Sequence, residues 1–143
     1  MTSRGIIGLG FLGNVVFVIV SGILGVAQSA TTPVKIGNNC TTDQPAVSIS
    51  INGQVSWTAV DQTYTLNFTN SPFTGIASGT SFAVPVPQTK SSGPVTNQVK
   101  QQCQNNTNLN NPACRFKYSV RGSVGPTPCK DVPTADPVVI ITH

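Results

Sequence analysis

The chain has 143 residues, eight Lys and Arg against four Asp, no Glu, a single His and a formal net charge of +4. That length supports one domain and hardly two. The basic residues are scattered and form no stripe that could follow a phosphate backbone, which argues against a nucleic-acid partner.

Arg4 gives a short positive start, and the run from Ile6 to Val26 is uncharged and mostly apolar before the small-residue stretch "AQSA". Residues 1–30 therefore read as a secretory signal peptide. The alternative is an uncleaved membrane anchor, because the run is just long enough to span a bilayer. Its glycines, Asn14 and the small-residue end favour cleavage. Residues 31–143 are expected to form one secreted domain, extracellular or periplasmic; under the alternative it is membrane-anchored through the N-terminal segment alone.

Residues 31–45 look polar and irregular, bounded by Pro33 and Pro45. "AVSISI" (46–51) alternates as a half-buried strand, with Val47, Ile49 and Ile51 on one side. "NG" follows at 52–53, and "QVSWT" returns with Val55 and Trp57 on one face, so 46–58 is expected to be a hairpin closed by a type I′ turn. "TYTLNF" (63–68) places Tyr64, Leu66 and Phe68 together. "NSPFTGIASGT" is a loop, and "SFAVPV" is a strand that Pro85 and Pro87 push to a sheet edge. Residues 95–102 fit either a strand or a helical turn. "QNNTNLNNPA" is a polar loop, and "RFKYSVR" alternates with Phe116, Tyr118 and Val120 inward. After the Gly/Pro-rich stretch 122–136, "PVVIIT" is a continuous apolar strand, buried on both faces if central. No helix of ten or more residues is expected beyond the first thirty. The pattern predicts an all-β sandwich of about seven short strands.

Four cysteines, Cys40, Cys103, Cys114 and Cys129, all follow the N-terminal segment. An even count in an exported chain points to disulfides, and without a C-x-x-C pair a zinc ribbon or thioredoxin-type site is disfavoured. Three pairings are open. The favoured one joins Cys103 to Cys114 across a local Asn-rich loop and leaves Cys40 with Cys129, tying the start of the domain to the approach of its last strand. The longer loop has the larger entropic effect, about 4–5 kcal/mol in the loop-closure model.

Taken together, "VSWTAVDQTYTLNF" (55–68), "RFKYSV" (115–120) and "PVVIIT" (137–142) resemble a cupredoxin. The resemblance covers most of 46–142 and implies a Greek-key sandwich, often built around a type 1 copper. Cupredoxins take one His ligand four residues before a Phe at a strand end. Their Cys, second His and Met come from the loop before the last strand. On this chain the first position falls on Tyr64, the cysteine position on Ser119 and the next histidine around Gly122; the methionine has no counterpart. Composition alone excludes the set: a blue-copper centre needs two imidazoles, a thiolate and usually a thioether, whereas the chain has only His143 and Met1. No copper or other cofactor is expected. In the place of the metal, a Cys40–Cys129 bond would tie down the loop before the last strand.

Other chemistry is equally sparse. A Ser/His/Asp or Cys/His nucleophile needs an imidazole placed by a third group, and His143 sits at the end of the chain. Asp131 and Asp136 share a loop but form a weak calcium signal. Asn39, Asn67 and Asn105 head N-x-T sequons. The rings of Trp57, Tyr64, Phe68, Phe116 and Tyr118 fit a core better than a ligand platform. The loops near 70–80 and 121–135 remain as contact surfaces, with Phe73 as a candidate anchor. The expectation is a non-catalytic binding or structural module for an unknown protein or glycan partner. The alternative is a surface or envelope accessory subunit, adhesin-like, that assembles with other proteins.

Overall fold

The computed structural model describes residues 29–122, 129 and 137–143. All but the last two residues of the expected signal segment lie outside them. So does most of the 121–135 contact loop, with Asp131 and Asp136. Among the described residues nine strands form two sheets: β1 (Thr31–Gly37), β2 (Thr41–Thr42), β3 (Ala46–Ser50), β4 (Gln54–Ala59), β5 (Tyr64–Phe68), β6 (Ser81–Val84), β7 (Thr89–Ser91), β8 (Arg115–Gly122) and β9 (Val138–Thr142). One sheet has the order β2-β1-β4-β7, the other β3-β9-β8-β5-β6. Their facing sides enclose the core, so the chain is a β-sandwich.

The predicted hairpin over 46–58 does not form. β3 pairs parallel to β9 (Ala46↔Val138 through Ser50↔Thr142), while β4 pairs parallel to β1 in the other sheet. Asn52–Gly53 carries the chain from sheet to sheet. Its turn closes with Gly53 N–H donating to Ser50 O at 2.8 Å, and neither residue takes the positive φ that a type I′ turn requires. The alternation that suggested a hairpin is real, but Val47 and Ile49 face Val55 and Trp57 across the core instead of beside them.

Residues 31–37, expected to be irregular, form an interior strand. The ladder explains why Pro33 is tolerated there. Gln54 N–H bonds to Ala30 O at 3.0 Å and Val60 N–H to Ile36 O at 2.9 Å, so even positions of β1 face β4. Pro33 faces the other way, where β2 is too short to reach, and no ladder bond is lost. Asp43 and Gln44 fill in with side chains: Lys35 N–H donates to Asp43 Oδ1 at 2.8 Å and Gln44 Nε2 to Pro33 O at 2.8 Å. β2 and β7 are two and three residues long, too short to leave a period-two signal. Residues 97–103 settle as a short helix, α1 (Asn97–Cys103), started by the Thr96 side chain, which accepts from Val99 N–H.

Other expectations hold. Tyr64, Leu66 and Phe68 are fully buried. β6 is an edge, and β9 lies between β3 and β8 with Val138 to Ile141 all buried. At the centre Trp57, on β4, meets the rings of Phe68, Phe73, Phe82 and Tyr118 edge-on at centroid distances of 5.8–6.1 Å. Its indole N–H donates to Tyr118 Oη at 3.2 Å, which satisfies both buried polar groups. Trp57→Ala is expected to lower unfolding free energy by about 3–5 kcal/mol in a urea titration, the range for emptying an aromatic site. Trp57→Phe should cost clearly less, because it keeps ring contacts although it loses the hydrogen bond to Tyr118.

Candidate functional site

Both predicted disulfides are present: Cys40–Cys129, with Cα atoms 5.6 Å apart, and Cys103–Cys114, at 5.8 Å. No cysteine among the described residues is free. The first bond closes one end of the sandwich. Gly122, at the end of β8, lies against it: a Cβ there would come within 2.9 Å of Cys129 Sγ and 2.8 Å of Gln62 Nε2. Only glycine lets the crosslink come so near to the strand.

This is the end on which the cupredoxin overlay set two of its ligand positions. Tyr64 and Gly122 are direct cross-strand partners. Tyr64 is buried, its hydroxyl donating to Asp61 Oδ1 at 2.5 Å. Burial first, and then the Asp61 carboxylate, push its pKa up to about 12, against the opposing hydrogen bond with Gln62. Ser119 is not brought to them. It pairs with Asn67 further along β8 and lines a shallow depression on the outer face of the sheet. The three positions therefore form no common site, and a phenol and a disulfide fill the closed end.

Phe73 is not a surface anchor either. Only 2 % of it is exposed, and its ring stands edge-on to Trp57 and Phe68 at 6.1 and 6.0 Å. The core's demand for a ring beside the indole draws the 69–78 loop inward. Phe73 bridges to Val95, and Gly75 N–H bonds to Ser92 O at 3.1 Å. A Cβ on Gly75 would come within 2.5 Å of that carbonyl oxygen, so the close approach requires glycine.

The pinned loop forms one wall of a groove of about 1030 Å³. α1 and the turn Pro112–Cys114 form the other wall, and the start of β8 forms the floor. Thr69, Ser71, Thr96, Gln98 and Gln102 line it with hydroxyl and amide groups beside Phe116, which packs half-buried at the margin of the core. Ser71 Oγ also accepts from Phe73 N–H, Thr96 Oγ1 from Val99 N–H, and Gln102 Nε2 donates to Ala113 O. Arg115 and Lys117 are the charged residues of the lining, and no carboxylate joins them. Arg115 Nη1 donates to Leu109 O at 2.6 Å.

The Asn-rich loop behind the groove is ordered by its own amides. Asn106, 6 % exposed, donates from Nδ2 to Ile141 O at 2.7 Å and accepts at Oδ1 from Asn108 N–H and Asn111 Nδ2, both at 3.2 Å. Its carbonyl takes His143 N–H at 3.0 Å. The loop is thereby fastened to the end of β9, and Cys103–Cys114 fastens it to α1. Polar composition concealed this, because the same amides serve a solvated loop equally well. Of the sequon asparagines, Asn39 and Asn105 are exposed, whereas half-buried Asn67 accepts from Ser81 Oγ at 3.0 Å.

Two predictions follow from the crosslinks and the tyrosines. The loops closed span 89 and 11 residues of separation. Replacing Cys40 and Cys129 by Ala should therefore destabilise by about 4–5 kcal/mol, and replacing Cys103 and Cys114 by about 3 kcal/mol, read as separate urea titrations. Tyr64 and Tyr118 are the only tyrosines, and burial raises Tyr118 to about 12 as well, against its hydrogen bond from Trp57 and with a further push from Asp43. The folded chain keeps these protons above the pH at which the unfolded chain releases them. Stability is thus undiminished below about pH 10 and falls as pH rises toward 12, by about 2–3 kcal/mol for Tyr118. Tyrosinate absorbance should stay flat through pH 10 in buffer and rise there in urea.

Among the described residues, no three His, Cys, Asp or Glu side chains gather as metal ligands. No family model matches the chain, and no curated protein or solved structure matches it.

Proposed function

We propose that the chain is an exported, non-catalytic binding module, a cupredoxin-like sandwich without copper, whose ligand is a glycan held in the groove beside α1. The observation that carries this reading is the groove itself. A wall of uncharged hydroxyl and amide groups around one half-buried ring suits a ligand with many hydroxyls and an apolar sugar face. The absence of carboxylates from the lining, beside Arg115 and Lys117, favours an acidic sugar over a basic one. Copper is left out because the chain lacks the imidazoles and thioether to hold it. Export is supported by the apolar N-terminal run and by two disulfides, which persist in oxidising compartments.

The test is an NMR titration with neutral and uronic-acid oligosaccharides. Shifts are expected at Gln98, Gln102 and Phe116, stronger for the acidic series. Phe116→Ala should weaken binding about tenfold, the loss of roughly one ring contact in a wet site, measured below its melting point, which falls because the ring also packs against the core. Shifts elsewhere, or none with either series, would remove the groove from consideration. The intact mass of the purified protein checks export: a start near residues 28–31 is expected, and a full-length chain would make the module membrane-anchored.

A further inference from the structure

An unpaired strand edge offers backbone donors and acceptors to any other strand, and folded proteins shield such edges with prolines, charges or brevity. Three of the four edges here are shielded. β6 runs into Pro85 and Pro87, β7 is three residues long with Lys90 in the middle, and β2 has two residues. β3 has none of these devices on its open side, because Pro45, which precedes it, faces β9. The β3 strand is five residues long, and the sequence carries no charge from Gln44 through Val60.

The ladder with β9 shows which groups are on offer. Val138 N–H bonds to Pro45 O at 2.9 Å and Ile51 N–H to Thr142 O at 2.8 Å. In a parallel pair alternate residues face each neighbour, so Val47 and Ile49 face β9 while Ala46, Ser48 and Ser50 turn their backbone groups away from it, the Ser50 carbonyl already accepting from Gly53 N–H at 2.8 Å. The side chains of those three residues are small and exposed. Among the described residues no strand pairs with this side.

We propose that β3 is the edge on which a second copy of this chain docks, antiparallel, about a two-fold axis at Ser48. Ser48 then exchanges backbone bonds with the partner's Ser48, and Ala46 C=O accepts from the partner's Ser50 N–H, joining two five-stranded sheets into one of ten strands. A two-fold contact must be self-complementary. The outward row meets that demand, because no like charges oppose and no large side chain stands in the way. The ends match as well. Lys100 Nζ lies 3.3 Å from Asn52 Oδ1, just past the end of β3, and Asp43, whose Oδ1 accepts from Lys35 N–H, lies three residues before its start. Antiparallel docking brings the Lys100 end of one protomer to the Asp43 end of the other, twice. With β3 used, only shielded edges remain, and assembly closes at two. This contact is independent of the groove.

The test is sedimentation velocity on the purified full chain over a range of concentrations, beside Ser48→Lys and, as a control on the β6 edge, Ala83→Lys. A concentration-dependent dimer is expected, with its dissociation constant raised at least about tenfold by Ser48→Lys, which sets two ammonium groups face to face, and unchanged by Ala83→Lys. Both melting curves should match the parent at concentrations low enough for all three to be monomeric. On the unmodified chain, amide exchange at Ala46 and Ser48 should slow as concentration rises. A monomer at every concentration, a dimer indifferent to Ser48→Lys, or growth beyond two copies would overturn the proposal. So would protection of Ala46 and Ser48 that needs a different protein, since the edge would then serve a foreign strand.

Discussion

The structure depends on the fit of one indole between two sheets. Trp57 leaves β4 and must find apolar surface on every side and an acceptor for its N–H. Phe68 and Tyr118 supply the opposite wall, stacked on each other with centroids 4.8 Å apart, and the Tyr118 hydroxyl supplies the acceptor. That pair comes from adjacent positions of β5 and β8, so their registry and the seating of the indole are one constraint. Phe73 completes the enclosure from outside the sheets. The groove wall exists because that ring has been drawn into the core.

Covalent bonds fix what packing cannot reach. The core holds the middle of the sandwich, and the two crosslinks stand toward its opposite ends. Cys40–Cys129 lies beside Gly122 at the end of β8, and Cys103–Cys114 joins α1 to the turn before β8. In a copper-binding sandwich a metal can act as such a clamp. Here a disulfide stands beside the strand end at which the overlay with that family looks for a ligand. Tyr64, at another overlaid position, is buried in the core with its hydroxyl donating to Asp61 Oδ1.

What the sequence discloses and conceals follows from the range of the forces involved. Side-chain alternation is local, so the inward faces of β3, β4, β5 and β8 were legible from Val47, Trp57, Leu66 and Tyr118 alone. Pairing is not local. "SISINGQVSW" reads as a hairpin because nothing in those residues states that Val139 and Ile141 compete for β3. β1 was obscured by Pro33, whose missing donor matters only on the side that faces a neighbour. The disulfides were legible because four half-cystines leave few choices and one pairing is short. The groove was not, because it arises where α1, a loop and β8 meet, and its amide and hydroxyl groups differ in no way from those of a solvated surface.

The place of β9 has a temporal consequence. It lies between β3 and β8, and Ala46 waits for Val138 across most of the domain's sequence. The five-stranded sheet therefore cannot be completed until residues up to Thr142 have been synthesised. Contacts of such long sequence separation also make for slow folding. The order of synthesis therefore leaves β3 and β8 without their shared neighbour until β9 arrives.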